Sequence, residues 1–365
     1  MKIGILTLPF HTNYGGILQA YALQTVLERM GHEVKVIIEL PPRHSSYVMP
    51  LVWLKRTYRK WVLHTHTFIF IEYIENKRRQ YVDAFVNRYI KQYKVKQISA
   101  INESDFDAIV VGSDQIWRPQ YYPQITRAYL DFAAGWNIKR LSYAASFGTD
   151  VWEYSEEQTN ICRELLNRFD VVTTREFEGV NFCSTYFQVS AQQVLDPTML
   201  LDVDDYITLF LVNRLPKSTG DLMYYLLDDS EEKMKLVNNV ATYYGLTPFS
   251  VHVRTDDESL PLRDRIQPPV EVFLRGFYDS KFIVTDSFHA CVFSILFNKP
   301  FLAYGNEQRG ISRFTSLLSL FGLEDRLIFS LKDVSESLLC KEINWDEVNK
   351  TLLLLRSSSM KSLSL

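Results

Sequence analysis

The stretch Lys281–Phe301 (KFIVTDSFHACVFSILFNKPF) changes from a strand pattern to a helix pattern within a few residues. Its first part, Lys281–Val284, has the apolar, β-branched content of a short buried strand. Thr285–Ser287 then suit the start of a helix, and apolar residues recur at helical spacing until Asn298 and Pro300 end the pattern. A strand that runs into a polar turn and a helix is typical of open α/β sheets, which hold ligands at the carboxyl ends of their strands.

His289 lies in the first turn of this predicted helix and is the side chain of the stretch best suited to acid–base work near neutral pH. The free N–H groups of a first helical turn favour a bound anion. We therefore predict that His289 is catalytic and that Asp286 and Ser287 contact the substrate. The alternative is a partly buried structural histidine whose hydrogen bonds are satisfied.

Strand and helix patterns alternate along the rest of the chain. Ile3–Leu8 and Glu33–Leu40 predict strands on either side of a helix, and Tyr129–Phe132 is among the further predicted strands. This alternation predicts an α/β fold with two Rossmann-like domains that face a cleft. The tail after Arg356 shows little that specifies structure. We place the domains at residues 1–200, with a helical insertion at about 41–97, and at 201–340, followed by a terminal helix and tail at 341–365.

Small and polar residues also follow two predicted strands of the first domain. Asn13, Gly15 and Gly16 come after the first strand, in a sequence that lacks the G-x-G-x-x-G pattern of dinucleotide sites. The two glycines allow either the close backbone approach of a ligand or a tight turn with positive φ. Asp114 follows the strand Phe106–Val111 and is a candidate for binding or deprotonating a hydroxyl, with an Asx-type turn as the alternative.

The charge balance argues against a general nucleic-acid-binding protein. There are 40 basic and 43 acidic residues, which leave a net charge of −3, whereas nucleic-acid binding needs a basic excess. The four cysteines lie far apart without a C-x-x-C pair, which indicates reduced thiols in the cytoplasm. His64 and His66 lack a third ligand at metal-binding spacing, so we assign no metal.

A basic and aromatic segment, Trp53–Trp61, lies within the predicted insertion. Lysine and arginine interleaved with tryptophan and tyrosine are typical of a helix that binds the surface of an anionic membrane. The alternative is a solvated helix whose aromatic side chains lie in the core. Since no run of residues approaches the ~18–20 apolar residues of a spanning helix, we predict a cytoplasmic protein, either free or peripheral on the inner face of the cytoplasmic membrane.

Seven segments in chain order resemble the motifs of one known family. They are NYGGILQAYALQ (Asn13–Gln24), VGSDQIW (Val111–Trp117), YAASFG (Tyr143–Gly148), TTRE (Thr173–Glu176), VLDPTMLL (Val194–Leu201), TDSFHACVFSI (Thr285–Ile295) and KPF (Lys299–Phe301). With this ordered set the chain resembles the polysaccharide pyruvyl transferase family. The predicted insertion lies outside the matching segments.

The resemblance implies a GT-B-like architecture with the active site in the cleft between the domains. It implies transfer of pyruvate from phosphoenolpyruvate, the donor substrate, to a sugar of a bacterial surface or capsular polysaccharide, without a cofactor. The acceptor would be a lipid- or nucleotide-linked glycan and the product a cyclic ketal. The alternatives are a GT-B-type glycosyltransferase that uses a nucleotide sugar, and a non-catalytic glycan-binding protein that has the same fold.

The resemblance also implies site residues in the first domain. Arg175 would bind the phosphate or the carboxylate of the donor, because such groups need fork-like cationic donors. Asp114, Asn13 and the backbone of Gly15 and Gly16 would be contacts to the acceptor or to the cleft.

One residue of the second domain departs from the pattern of some family members. Some family members have an arginine two residues before the motif histidine, where this chain has Ser287. Arg309 or Arg313 would supply the missing cation, or this branch of the family uses a different donor or acceptor. His289 would deliver a proton or contact the phosphate. The positive end of the helix disfavours the imidazolium form of His289, whereas bound phosphate and Asp286 favour it. We therefore expect His289 to be protonated when the anion binds.

Overall fold

The computed structural model of the chain describes residues 1–40, 49–62, 70–228, 230–305 and 310–364. In the first half, five parallel strands form one sheet: β1 (Lys2–Leu6), β2 (Glu33–Glu39), β3 (Gln92–Val95), β4 (Ala108–Val111) and β5 (Lys139–Ser142). Their order is β3-β2-β1-β4-β5. Two short parallel strands, β6 (Thr173–Thr174) and β7 (Gln192–Gln193), continue beside β5 through a bridge between Leu141 and Val171.

The second half repeats this plan with another parallel sheet. Its strands are β8 (Leu222–Tyr225), β9 (Pro248–Ser250), β10 (Phe282–Thr285), β11 (Phe301–Tyr304) and β12 (Leu327–Ile328), in the order β12-β11-β10-β8-β9. The parallel strands are joined by crossover helices, as a parallel sheet requires. The predicted α/β class with two Rossmann-like halves is confirmed.

Helices cover the sheets, and one of them is buried on all sides. The α-helices are α1 (Tyr14–Arg29), α2 (Met49–Trp61), α3 (Ile71–Tyr89), α4 (Glu156–Leu166), α5 (Phe177–Phe182), α6 (Val203–Val212), α7 (Glu231–Tyr244), α8 (Val270–Asp279), α9 (Phe288–Leu296), α10 (Ser312–Phe321), α11 (Glu336–Cys340) and α12 (Trp345–Lys361). Every residue of α9 is buried, as its almost wholly apolar sequence requires. Within the described ranges, no helix has the length and apolar character needed to cross a membrane.

The two halves of the molecule share apolar contacts. One continuous cluster of buried side chains includes Ile17 and Leu23 of α1 and also Phe273 and Phe293 of the second half. Tyr14, the first residue of α1, stacks on Phe273 with ring centroids 4.8 Å apart. The start of α1 is therefore anchored in the second half of the molecule.

Two predictions about the first half need correction. The predicted strand Tyr129–Phe132 is wrong, because 3₁₀ helices at Ile125–Tyr129 and Asp131–Ala133 occupy this region. Leu130 between them has a φ of 59°, a left-handed conformation outside the strand region. The helical insertion ends before residue 97, because Gln92–Val95 pairs with β2 as the edge strand of the sheet.

The residues after Arg356 are held against the first half of the molecule, although their sequence specifies little. Arg356 donates hydrogen bonds to the carbonyl oxygens of Met199 (2.8 Å) and Leu201 (2.9 Å). The Ser359 hydroxyl oxygen accepts a hydrogen bond from the N–H of Leu195 at 3.0 Å. Helix α12 therefore returns from the second half and fixes the loop that follows β7.

Candidate active site

Side chains that follow strands of both sheets come together between the two halves. Asp114 follows β4, Arg175 follows β6, Asp196 follows β7 and His289 follows β10. All four are buried. The carboxyl edge of the strands is where open α/β sheets bind ligands. The structure thus brings three predicted site residues into one cluster with Asp196, for which the sequence suggested no role.

The first turns of α1 and α9 meet at this cluster. A Cβ atom on Gly15 would lie 2.0 Å from Nδ1 of His289, and a Cβ atom on Gly16 would lie 3.2 Å from Oδ2 of Asp114. Both glycines belong to α1 and have no positive φ. A tight turn with positive φ is therefore wrong for this glycine pair, and the groups that lie closest to the two glycines are side chains of the protein, His289 and Asp114.

Asp196 joins the residues of the two halves. Its Oδ2 accepts a hydrogen bond from Nη1 of Arg175 at 2.9 Å and lies 3.6 Å from Nε2 of His289. Its Oδ1 accepts hydrogen bonds from the amide and the hydroxyl of Thr198. Burial alone would raise the pKa of the Asp196 carboxyl, but His289, Arg175 and Thr198 outweigh burial and hold that pKa well below its ordinary value. Asp196 is therefore an anion beside the imidazole.

Arg175 is surrounded by carboxylates and by one aromatic ring. Its Nε donates to Glu176 at 3.2 Å, and its Nη2 lies 4.0 Å from Oδ1 of Asp114. The guanidinium carbon lies 4.3 Å from the centroid of the Phe288 ring, a cation–π contact. Burial acts to lower the pKa of Arg175, but Glu176, Asp196 and Asp114 outweigh burial and raise that pKa. Arg175 therefore stays cationic.

Three buried polar atoms of the cluster have no hydrogen-bond partner in the described part of the chain. They are Nη2 of Arg175, Nε2 of His289 and Oε2 of Glu176. Oδ1 of Asp114 lies 4.0 Å from Nη2 of Arg175, and Oδ2 of Asp196 lies 3.6 Å from Nε2 of His289, both beyond hydrogen-bond distance. Buried polar atoms are normally hydrogen-bonded, so these three atoms are available to a substrate.

Helix α9 presents its first turn to the same region. Ser287 is the N-cap residue, and its side chain makes no capping hydrogen bond. The first-turn N–H groups, which lack partners within the helix, favour an anion. The Arg313 guanidinium lies 5.9 Å from the centroid of the Phe288 ring. Burial and the neighbouring Arg175 lower the pKa of Arg313 to about 10, so Arg313 remains a cation near neutral pH.

Asn13 and Arg309 were also predicted to contact the substrate. Asn13 is the N-cap residue of α1, and its Oδ1 accepts the N–H of Gly15 at 3.0 Å. It is exposed at the start of the helix. Arg309 lies outside the described residues.

The carboxylate of Asp286 binds elsewhere than predicted. Its Oδ2 lies 2.6 Å from Nζ of Lys233, and its oxygens also accept the N–H groups of Leu227 and Asp228. Both side chains of the Asp286–Lys233 ion pair are buried. Asp286 therefore ties the loop after β8 to the end of β10, and the carboxylate beside His289 is Asp196.

Replacing Asp286 with asparagine is expected to lower the free energy of unfolding by about 3–5 kcal/mol, because it leaves the Lys233 ammonium buried without its counter-ion. Urea unfolding measures the change. The matched control is Glu231→Gln, which removes the partner of Lys235 from an exposed pair and should cost less than about 1 kcal/mol. A loss equal to that of the control would show that the Asp286–Lys233 pair adds nothing to stability.

Sequence reasoning missed Asp196 and Glu176. Both occur in the motif segments, Asp196 in Leu195-Asp196-Pro197 after a strand and Glu176 directly after Arg175. A polar residue directly after a strand is the same signal that identified Asp114. It could have identified Asp196, but not its pairing with His289.

Comparisons with known proteins agree with this architecture. The family profile described as polysaccharide pyruvyl transferase matches residues 13–308. The UDP-GlcNAc 2-epimerase from Neisseria meningitidis is similar over 98% of this chain and 99% of its own, at 10% identity and a TM-score of 0.50. MnaA from S. aureus is similar over 100% of this chain and 90% of its own, at 14% identity and a TM-score of 0.49. MurG from Acinetobacter baumannii is similar over 99% of this chain and 97% of its own, at 9% identity and a TM-score of 0.43. No curated protein sequence matches significantly.

At these identities the similarity to solved structures concerns the fold alone, which is GT-B-like as predicted. The family profile spans most of the chain and includes the segments that contain Asp114, Arg175, Asp196 and His289. This match confirms the resemblance first seen in the motifs. The chain is a transferase and belongs to the polysaccharide pyruvyl transferase family.

Proposed function

We propose that this enzyme transfers the pyruvate unit of phosphoenolpyruvate to a sugar of a bacterial surface or capsular polysaccharide precursor, as a cyclic ketal. The observation that supports it best is the cluster of His289, Asp196 and Arg175 at the meeting point of two helix starts. Phosphoenolpyruvate has a phosphate and a carboxylate, which require cationic donors and oriented N–H groups. The α9 first turn and the guanidinium groups of Arg175 and Arg313 are donors of these two kinds.

The proposed reaction requires one proton at carbon and the departure of phosphate. One sugar hydroxyl adds to C2 of phosphoenolpyruvate while C3 takes a proton and becomes a methyl group. A second hydroxyl then displaces the phosphate from C2 and closes the ketal. One proton is thus taken up at C3 and the other leaves with inorganic phosphate, so that the two hydroxyl protons balance the reaction.

In this proposal His289, Asp196 and Asp114 have separate roles. His289 delivers the proton to C3 or contacts the phosphate. Asp196, whose Oδ2 lies 3.6 Å from Nε2 of His289, holds the ring in place. Asp114 accepts the proton of the attacking hydroxyl, and the absence of a side chain on Gly16 gives its carboxylate room.

Phosphate release tests the proposal. Purified protein with phosphoenolpyruvate and a panel of lipid- and nucleotide-linked sugars is expected to release inorganic phosphate only when a suitable acceptor is present. Mass spectrometry should then find the ketal on that acceptor. Thermal stabilisation by a nucleoside diphosphate but not by phosphoenolpyruvate, with no phosphate release across the panel, would contradict the proposal and favour a glycosyltransferase that uses a nucleotide sugar.

We also propose that the reaction takes place in the cytoplasm, on a lipid- or nucleotide-linked acceptor, with the enzyme peripheral on the inner face of the membrane. Cys162, Cys183, Cys291 and Cys340 are all unpaired. Free thiols of this kind are stable in a reducing compartment. Phosphoenolpyruvate would serve as a substrate, and no cofactor is part of the proposal.

A further inference from the structure

Helix α2 has an apolar face that points away from the protein. Leu51, Leu54, Tyr58 and Trp61 follow one another at spacings of three and four residues, which places them on one side of the helix. Their exposed fractions run from 55% to 69%. We call these four residues the α2 stripe. A surface helix normally turns its apolar face toward the core, so this orientation is the reverse of the usual one.

Contacts of the other side chains hold α2 in this orientation. The Arg56 guanidinium donates two hydrogen bonds, each 2.8 Å long, to the carboxylate of Glu72 at the start of α3. Trp53 packs edge-on against Phe70, with ring centroids 5.3 Å apart. Helix α3 in turn buries Phe85 in the core of the first half. The α2 stripe is therefore presented to the surroundings by a helix attached to the domain.

The charge of the helix indicates what the stripe binds. Helix α2 contains four basic residues and no acidic residue, although the whole chain has a net charge of −3. Glu72 balances Arg56, and the sequence of the helix contains three further basic residues, Lys55, Arg59 and Lys60. Lys55 is exposed and lies one turn after Leu51, beside the stripe. Apolar and aromatic side chains flanked by lysine and arginine complement a membrane surface that has anionic headgroups.

We propose that the α2 stripe binds the surface of an anionic lipid bilayer, with Leu54 and Trp61 at the depth of the headgroups and Lys55 against lipid phosphates. Tyr58 and Trp61 are exposed and do not lie in the core, so of the two alternatives for the Trp53–Trp61 segment we favour the interfacial helix. This surface lies outside the residues of the candidate active site, so its lipid binding does not depend on the pyruvyl-transfer chemistry.

Vesicle sedimentation with the full-length protein tests this surface. The protein is expected to bind vesicles that contain phosphatidylglycerol and to bind phosphatidylcholine vesicles much more weakly. The variant Leu54→Ser/Trp61→Ser should lower the partition coefficient about tenfold or more, and Lys55→Gln should lower it about fivefold. The matched control is Leu353→Ser/Leu354→Ser, which changes two leucines of α12 exposed to 62% and 65% and should bind like the unmodified protein.

Two results would overturn the proposal. One is the absence of binding to anionic vesicles, or equal binding by the unmodified protein and the stripe variant. The other is a dimer that the stripe variant dissociates in sedimentation velocity without any vesicle binding, which would identify a second copy of the chain as the partner. Phosphate release with a water-soluble acceptor should be the same in the stripe variant and the unmodified protein. That measurement separates a failure of this inference from a failure of the proposed reaction.

Discussion

Replacing Gly15 with alanine is expected to lower the rate of pyruvyl transfer by about 100-fold or more. The new Cβ atom would lie 2.0 Å from Nδ1 of His289, so either the imidazole or the start of α1 must move. A displacement of about 1 Å at a reacting group costs on the order of 100-fold in rate. The measurement is phosphate release from phosphoenolpyruvate with acceptor present, together with the melting temperature.

The chain provides a matched control for this substitution. A Cβ atom on Gly135 would meet no atom within 4 Å, and Gly135 has no positive φ, so Gly135→Ala should leave the rate unchanged. If Gly15→Ala retained the activity of the unmodified enzyme, the contact between α1 and His289 would not be part of the working site.

Replacing His289 with alanine is expected to lower the turnover rate by about 10²–10⁴-fold, the range typical of a lost general acid. Calorimetry with phosphoenolpyruvate distinguishes its two possible roles. If His289 delivers the proton, turnover falls while donor binding is kept, and if it contacts the phosphate, donor binding falls as well. His32→Ala is the control, since His32 directly precedes β2 and lies at the amino edge of the sheet, away from the cluster.

Asp196→Asn completes this test, because Asp196 is proposed to act through His289. Its Oδ2 lies 3.6 Å from Nε2 of His289 and holds the ring in place, so Asp196→Asn should lower turnover while binding of phosphoenolpyruvate is kept. Asp196 is ionised near neutral pH, because its pKa is held well below its ordinary value, so the substitution removes a charge. Full activity in His289→Ala or in Asp196→Asn would contradict the roles assigned to the pair.

Sequence alone could place elements whose ends have local signals. Helix α7 is an example: the Ser230 side chain accepts the Lys233 N–H at its start, and Gly245, with a φ of 65°, ends it. The strand–turn–helix around His289 was predictable for the same reason, since an apolar strand, a polar turn and an apolar helix follow one another directly.

The partners of the site residues could not be predicted in this way. Asp286 is three residues from His289 in sequence, which suggested that its carboxylate faces the imidazole. At the end of β10 that carboxylate instead contacts Lys233, and Asp196 of the other half occupies the position beside His289. Contacts between two domains depend on how the domains pack, and side chains that meet across a cleft leave no periodic pattern in the sequence.

The hydrogen bond between Ser359 and Leu195 has a consequence for biosynthesis. It joins positions 164 residues apart, and Leu195 directly precedes Asp196. Domains fold as they leave the ribosome, N-terminal part first, so the first sheet forms while α12 has yet to be translated. The Leu195 amide gains its hydrogen bond only after Ser359 has emerged and α12 has docked. The segment that leads into Asp196 therefore receives this contact late in synthesis, after both sheets have been translated.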